Sequence, residues 1–366
     1  MTNFRDVPGK VETLGTSSGR FTELDGLRGI AALAVVVSHY GGAYNSRYPN
    51  DPMAFNDFSY GAFGVQLFFL ISGFVILMTA FRAKRPSDFV ISRVSRLYPA
   101  YWISLVLAVV LIYAFNVPPF KPSVPEILAN ITMIQRWFLL PNVEDVYWTL
   151  AIEMQFYVLI LLLLLVTKCK ISDRLVRWGS VAWLLVSMAV SFWAGPYSRG
   201  ISPQNVDTPV KMVLNVTLAE FGPLFCAGML LFISRRDAKL QPLAIVAGIV
   251  ASLNAGLLHG VQSALIVLGI IAVFTFVVMR PRTRFLNFAP LQWYGKISYS
   301  LYIVHATLGY VVIHSVWPYV GRNGAIFVAF AVASVVAWGV YKFGEVYLTG
   351  KLKSGLKSLQ LRAGSK

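Results

Sequence analysis

Ten apolar stretches, near residues 24–42, 61–81, 99–116, 146–167, 176–195, 211–234, 241–259, 261–279, 290–316 and 323–348, dominate this chain. A hydrocarbon layer of about 30 Å is crossed by roughly 20 residues of helix, so each stretch is long enough to span a membrane. Of the 366 residues, 57% are hydrophobic and 13% charged, about half the charged share of an average soluble domain. These figures exclude a cytosolic globular enzyme and predict an all-α membrane protein of about ten transmembrane helices. A weaker stretch, 126–140, holds Gln135 and Arg136 between Pro125 and Pro141, and reads as a short interfacial or re-entrant helix,.

A net charge of +16 would suggest a nucleic-acid partner in a soluble protein,. In a membrane protein the placement of Lys and Arg matters more than their sum. With ten spans, 23 of the 32 basic residues fall on the side of the termini, and six, Arg47, Lys121, Arg136, Arg199, Lys211 and Arg322, on the other. This excess predicts cytoplasmic termini and no nucleic-acid role. An eleventh span at 126–140 would put the later basic clusters outside. Residues 1–22 read as a flexible cytoplasmic tail without a signal-peptide cleavage pattern, 23–350 as one membrane domain, and 351–366 as a basic cytoplasmic tail,. Cys169 and Cys226 cannot form a disulfide framework, and no Cys/His spacing suits a metal,.

Ionisable groups inside spans cost about 2.5–3.5 kcal/mol each on insertion and are functional candidates by default. Here they are Arg28, His39, Glu153, Glu220, Lys296, His305 and the pair Lys342 and Glu345. Arg28 and His39 share a helical face about 16 Å apart along the axis. Histidine suits general-base work near neutral pH, and arginine offers a rigid fork of donors for phosphate. The competing reading of His39 is a hydrogen-bonded interhelical histidine. Ser72 and Gly73 read first as close helix packing. Arg93 and Arg96 lie on one face before Pro99, which is expected to break the helix, and form either a positive-inside anchor or a phosphate site. Glu153 is at a depth where its carboxylate would fix the His39 tautomer, with a structural salt bridge to Arg28 or Lys296 as the alternative. Glu220, beside Gly222 and Pro223, is less telling. Ser298, Tyr302 and His305 form a stripe too polar for lipid.

These residues lie in motifs that resemble the acyltransferase 3 family, bacterial integral-membrane enzymes that O-acylate carbohydrates and some secreted small molecules. The motifs are Leu24-Asp25-Gly26-Leu27-Arg28-Gly29 with His39 eleven residues after Arg28; Phe68-Phe69-Leu70-Ile71-Ser72-Gly73-Phe74; Arg93-x-x-Arg96-Leu97-Tyr98-Pro99; Tyr147-Trp148-Thr149-Leu150-x-x-Glu153; and Gly295-Lys296-Ile297-Ser298-Tyr299-Ser300-Leu301-Tyr302-x-x-His305. They run in family order over about residues 21–350. The resemblance implies transfer of an acyl group, usually acetyl, from cytoplasmic acyl-CoA to an acceptor hydroxyl reached from the outer side of a bacterial inner membrane. It implies His39 as catalytic histidine, Arg28 as its motif partner, and Arg93 and Arg96 facing CoA. Two departures stand out: Glu345-Val346-Tyr347 replaces the family's Glu-x-Pro, and the hydrolase-like domain of larger relatives is not expected here, so transfer falls to this domain alone or to a partner.

On this reading the nucleotide of acyl-CoA meets Arg93, Arg96 and Lys296, with Ser72, Tyr302 and His305 along the donor channel. His39, oriented by Glu153, deprotonates the acceptor; Trp148 and Tyr157 supply oxyanion donors or bound the acceptor pocket. A ping-pong route in which His39 carries the acyl group stays open. Expected acceptors are carbohydrate or lipid-linked saccharide, exopolysaccharide or O-antigen first, with membrane lipid and polysaccharide-assembly machinery as further partners and no metal. The competing class is a transporter or exporter, since ten helices with buried charges also suit a substrate path. A glycerolipid-type acyltransferase lacks support, because Tyr44 stands where a His-x4-Asp motif needs Asp.

Overall fold

Proline and glycine set the boundaries of the helices. The structure, a computed structural model, describes residues 21–118, 121–199, 206–280 and 283–363. The predicted flexible tail lies, up to residue 20, outside the described residues. In chain order the helices are α1 (Thr22–Ser38), α2 (Tyr44–Arg47), α3 (Gly64–Arg82), α4 (Pro86–Phe115), α5 (Val124–Ile131), α6 (Tyr147–Val166) and α7 (Asp173–Ser198). They continue with α8 (Thr208–Thr217), α9 (Gly222–Arg236), α10 (Pro242–His259), α11 (Val261–Met279), α12 (Ala289–Val340) and α13 (Thr349–Ala363). A proline in the first turn opens α4, α5, α8, α9, α10 and α12, where its missing N–H costs nothing. No strand occurs among the described residues.

Among the described residues, eight helices are long and apolar enough to cross a membrane. One of them, Ala289–Gln360, breaks at Gly321, whose φ of 73° is in the left-handed region that glycine tolerates,. Its two limbs carry the predicted spans 290–316 and 323–348. The predicted first span is α1, extended through a π-helical turn, His39–Ala43, into α2. The chain is thus an all-α membrane protein. The stretch expected at 126–140 is the short helix α5 followed by a 3-10 turn, Gln135–Phe138. The basic stretch after residue 350 is helical as α13.

Pro99 does not break its helix as expected; α4 runs through it. Proline removes the N–H that would bond to the Ser95 carbonyl, and the Thr349 hydroxyl donates to that carbonyl instead, at 2.7 Å. The predicted span 211–234 is interrupted, since Leu218 adopts a left-handed conformation between α8 and α9.

Two helix pairs approach backbone to backbone. A Cβ on Gly295 of α12 would lie 2.0 Å from the Asp25 carbonyl oxygen of α1, and one on Gly29 would lie 2.6 Å from Leu291 O. Likewise Gly73 of α3 and Gly228 of α9 meet Phe225 O and Leu70 O at 2.3 and 2.1 Å. With no hydrophobic force between helices in lipid, close van der Waals packing of small residues holds such pairs. These contacts bring α1, α3, α4, α6 and α12 around the buried polar residues, while α7 and α11 expose apolar side chains such as Phe192 and Leu265.

Candidate active site

A cavity of about 100 Å³ lies between α1, α3, α4, α6 and α12. It follows α3 from Val65 to Ile76, about 16 Å at 1.5 Å per residue. Arg28, Arg93 and Arg96 line it together with one carboxylate, Glu153. Arg93 is buried, with one guanidinium N–H bonded to Ser92 Oγ at 3.0 Å and its Nε without a partner. Its guanidinium stands 5.9 Å over the Tyr157 ring. Arg28 is 3.5 Å from Asp25. Glu153 Oε1 accepts from the Ser72 hydroxyl at 2.7 Å and the Tyr157 hydroxyl at 2.5 Å. The wall is therefore net cationic around unfilled space, an arrangement suited to an anion or a polarised carbonyl. Across the cavity Tyr302 shares a 2.8 Å hydrogen bond with Thr149.

One helical turn beyond Tyr302 the space closes and two histidines meet. The His305 ring centroid is 5.9 Å from that of Tyr302 and 4.9 Å from that of His39, which it faces edge-on at 65°. His305 is fully buried; its Nδ1 is 2.8 Å from the Tyr302 carbonyl and its Nε2 has no partner. His39 begins the π-helical turn, a local widening frequent at functional sites. Its Nδ1 is 3.1 Å from the Tyr310 hydroxyl, which donates to Asp145 at 3.2 Å. Arg47 grips Asp145 through both oxygens, with Nε at 3.0 Å from Oδ2 and Nη2 on Oδ1.

The α12 backbone beside His305 is held from outside its own helix. Tyr40 donates to His305 O at 2.9 Å, and Gly309 makes room for the Tyr40 ring, since a Cβ there would lie 2.1 Å from it. Ser104 donates to Ile303 O at 2.5 Å, and the Thr307 N–H donates to Glu144 at 2.7 Å. Glu144, just before α6, is 2% exposed, and burial pushes its carboxyl up to about 8,.

The structure thus gathers Arg28, Ser72, Arg93, Arg96, Glu153, Tyr157 and Tyr302 around one cavity and puts His39 and His305 together at its outer end. Several expectations change. Glu153 does not reach His39, because its Oε1 is engaged by Ser72 and Tyr157 one layer further in; Tyr310 and Asp145 take the place beside His39. Lys296 is exposed and does not line the cavity. Trp148 packs on Phe221 at 5.7 Å rather than lining the cavity, whereas Tyr157 stands among the arginines rather than at an outer pocket. Ser72 lines the cavity, so only its neighbour Gly73 serves close packing. Elsewhere, Glu220 pairs with His259 at 2.8 Å, and Glu345 accepts from Ser300 rather than pairing with Lys342. Tyr310, Asp145, Arg47 and Glu144 escape the sequence reading; the adjacent acids Glu144 and Asp145 at the mouth of a span were the available signal.

Comparison with known proteins places this geometry. The chain is 25% identical over 332 residues to the peptidoglycan O-acetyltransferase OatA of Listeria monocytogenes, covering 77% of this chain and 48% of that protein. It is 24% identical over 314 residues to YrhL of Bacillus subtilis, named as a candidate peptidoglycan O-acetyltransferase, covering 77% and 47%. A candidate O-acetyltransferase of Staphylococcus aureus is 27% identical over 393 residues, covering 93% and 58%. The chain spans about half the length of the curated relatives it matches. No solved structure matches it. The model of the acyltransferase 3 family, described as an acyltransferase domain, matches residues 21–342, and the chain belongs to that family.

Proposed function

We propose that this protein is a membrane O-acyltransferase moving an acyl group, acetyl first among candidates, from acyl-CoA on the cytoplasmic side to a hydroxyl of an extracytoplasmic or lipid-linked carbohydrate. One observation carries the reading: a line of polar side chains leads from the three-arginine cavity, whose lining ends at Tyr302, through His305 to His39. The basic excess on the side of the termini supports cytoplasmic termini in a bacterial inner membrane, with Arg93 and Arg96 nearer the cytoplasm and His39 nearer the outside.

At about 100 Å³ the cavity is well below the roughly 300–1,000 Å³ of a pocket for a drug-sized ligand. It suits the thin arm and acyl thioester of the donor, with the nucleotide outside at the basic mouth. The arginines bind and orient the arm. The acceptor hydroxyl gives its proton to His39 as its oxygen attacks the thioester carbonyl; the C–S bond breaks, and the proton passes to the departing thiolate, leaving an ester and free CoA. Peptidoglycan, in the names of two relatives, joins exopolysaccharide and O-antigen repeat units as acceptors to be tried.

The test is CoA release from acetyl-CoA by purified protein in nanodiscs, with and without each saccharide, wild type beside His39→Ala. Acceptor-dependent release that vanishes in the variant is the expected result. Acetyl-CoA that neither binds to folded wild-type protein nor is consumed overturns the reading in favour of a transporter.

A further inference from the structure

We propose that Tyr310 and Asp145 are positioning residues that fix the proton of His39 on Nδ1 and leave Nε2 as a bare lone pair, which deepens the reading of His39 as the base of the transfer. Asp145 is bound at both oxygens by the Arg47 guanidinium and is an acceptor only,. The Tyr310 hydroxyl has one hydrogen and donates it to Asp145 Oδ2, 3.2 Å away. Its oxygen then has only lone pairs to offer His39 Nδ1 at 3.1 Å, so that nitrogen carries the ring hydrogen,. A neutral imidazole with hydrogen on Nδ1 has an unprotonated Nε2, the atom a general base needs.

The neighbouring histidine reaches the same state independently. His305 Nδ1 lies 2.8 Å from the Tyr302 carbonyl, which can only accept, and its buried Nε2 has no partner. Two rings with bare Nε2 atoms therefore stand 4.9 Å apart at the outer end of the cavity. Of these two rings, the His39 tautomer is set through side chains and responds to the replacement of Tyr310 or Asp145, whereas that of His305 is set by a backbone carbonyl. The His39 and Tyr310 rings are 5° from parallel, with centroids 6.4 Å apart. Arg47 stands 5.3 Å over the Tyr310 ring and ties the assembly together.

The experiment is ¹⁵N NMR of the full chain labelled at histidine nitrogens, in nanodiscs without donor or acceptor. The chain has four histidines, and His39→Gln identifies the His39 signals by subtraction. Wild type is expected to show a protonated Nδ1 and an unprotonated Nε2 at His39. Tyr310→Phe removes the acceptor for the Nδ1 hydrogen, and the two tautomers become mixed. Asp145→Asn presents an amide that donates to the Tyr310 oxygen, turns the hydroxyl toward His39 and moves the ring hydrogen to Nε2. The His305 signals, set by a backbone carbonyl, stay unchanged in both variants and report that the bundle is intact. Wild-type protein with hydrogen on His39 Nε2, or two folded variants with unaltered His39 signals, overturns the proposal. Because neither donor nor acceptor is present, this outcome is independent of whether the chain transfers acyl groups. If it does, each variant loses about 100-fold in turnover with an unchanged donor KM, within the ~10²–10⁴-fold that a positioned base supplies.

Discussion

The two ends of the site follow opposite plans. Around the cavity, charge faces space: three arginines and one carboxylate line it, and Arg93 Nε has no partner. Around His39, side chains are tied to one another: Tyr310, Asp145 and Arg47 form a hydrogen-bonded chain, and Tyr40, Ser104 and Glu144 brace the helix of His305. An unpaired buried donor is costly until a ligand satisfies it, so the first plan suits a molecule that binds and leaves. The second suits a ring whose orientation must be held, since a displacement of about 1 Å at a reacting group can cost 10²-fold. The proposed function assigns recognition of the donor to the first end and proton transfer to the second.

Substitutions separate these tasks. The largest effect is expected from His39→Ala, which removes the base and lowers initial rates of acyl transfer by ~10²–10⁴-fold; donor affinity is kept, and a comparable fall in affinity would merge the two ends. Next, Arg93→Gln and Arg96→Gln each remove hydrogen bonds from a charged donor, about 1.5–3 kcal/mol apiece. Steady-state kinetics should show a donor KM raised on the order of tenfold or more, by the rule of 1.4 kcal/mol per decade, with a smaller change in kcat.

Glu144 gives a pH test of the brace. Its folded value is raised to about 8 by burial, so the stability that the neutral acid contributes is complete at low pH and is lost as pH rises through that value. Thermal melting should fall in wild type as pH rises from about 4.5 to about 8 and level off above that,, whereas Glu144→Gln, which keeps an acceptor for the Thr307 N–H without titrating, should flatten that fall. A slope shared by both proteins would remove Glu144 from the account. The smallest effect is expected at Lys296, which is exposed and away from the cavity; Lys296→Ala should leave donor KM within about twofold, as surface changes usually do.

The apolar stretches and the polar stripe of α12 could be read from the sequence because helical length and period are local properties of the chain. Arg28, Glu153 and His305 stand out by being ionisable where lipid makes that expensive, and Arg93 and Arg96 by sharing one helical face ahead of a span. Contacts between helices were less legible. Glu153 and His39 were placed together by depth alone, but rotation about the helix axis sends the carboxylate to Ser72. Tyr310 is an ordinary residue for an apolar span, and Asp145 sits in a loop whose packing no periodicity describes. Pro99 was misread because the Thr349 hydroxyl that rescues the helix comes from 250 residues later in the chain.

The division between a recognising end and a reacting end is tested most directly by measuring acetyl-CoA affinity and acyl transfer on the same nanodisc preparations of His39→Ala and Arg93→Gln/Arg96→Gln. The account predicts that the histidine variant binds acetyl-CoA as wild type does and transfers nothing detectable, while the arginine variant binds weakly and regains transfer at high donor concentration. Loss of binding in the histidine variant, or undiminished affinity in the arginine variant, would contradict it.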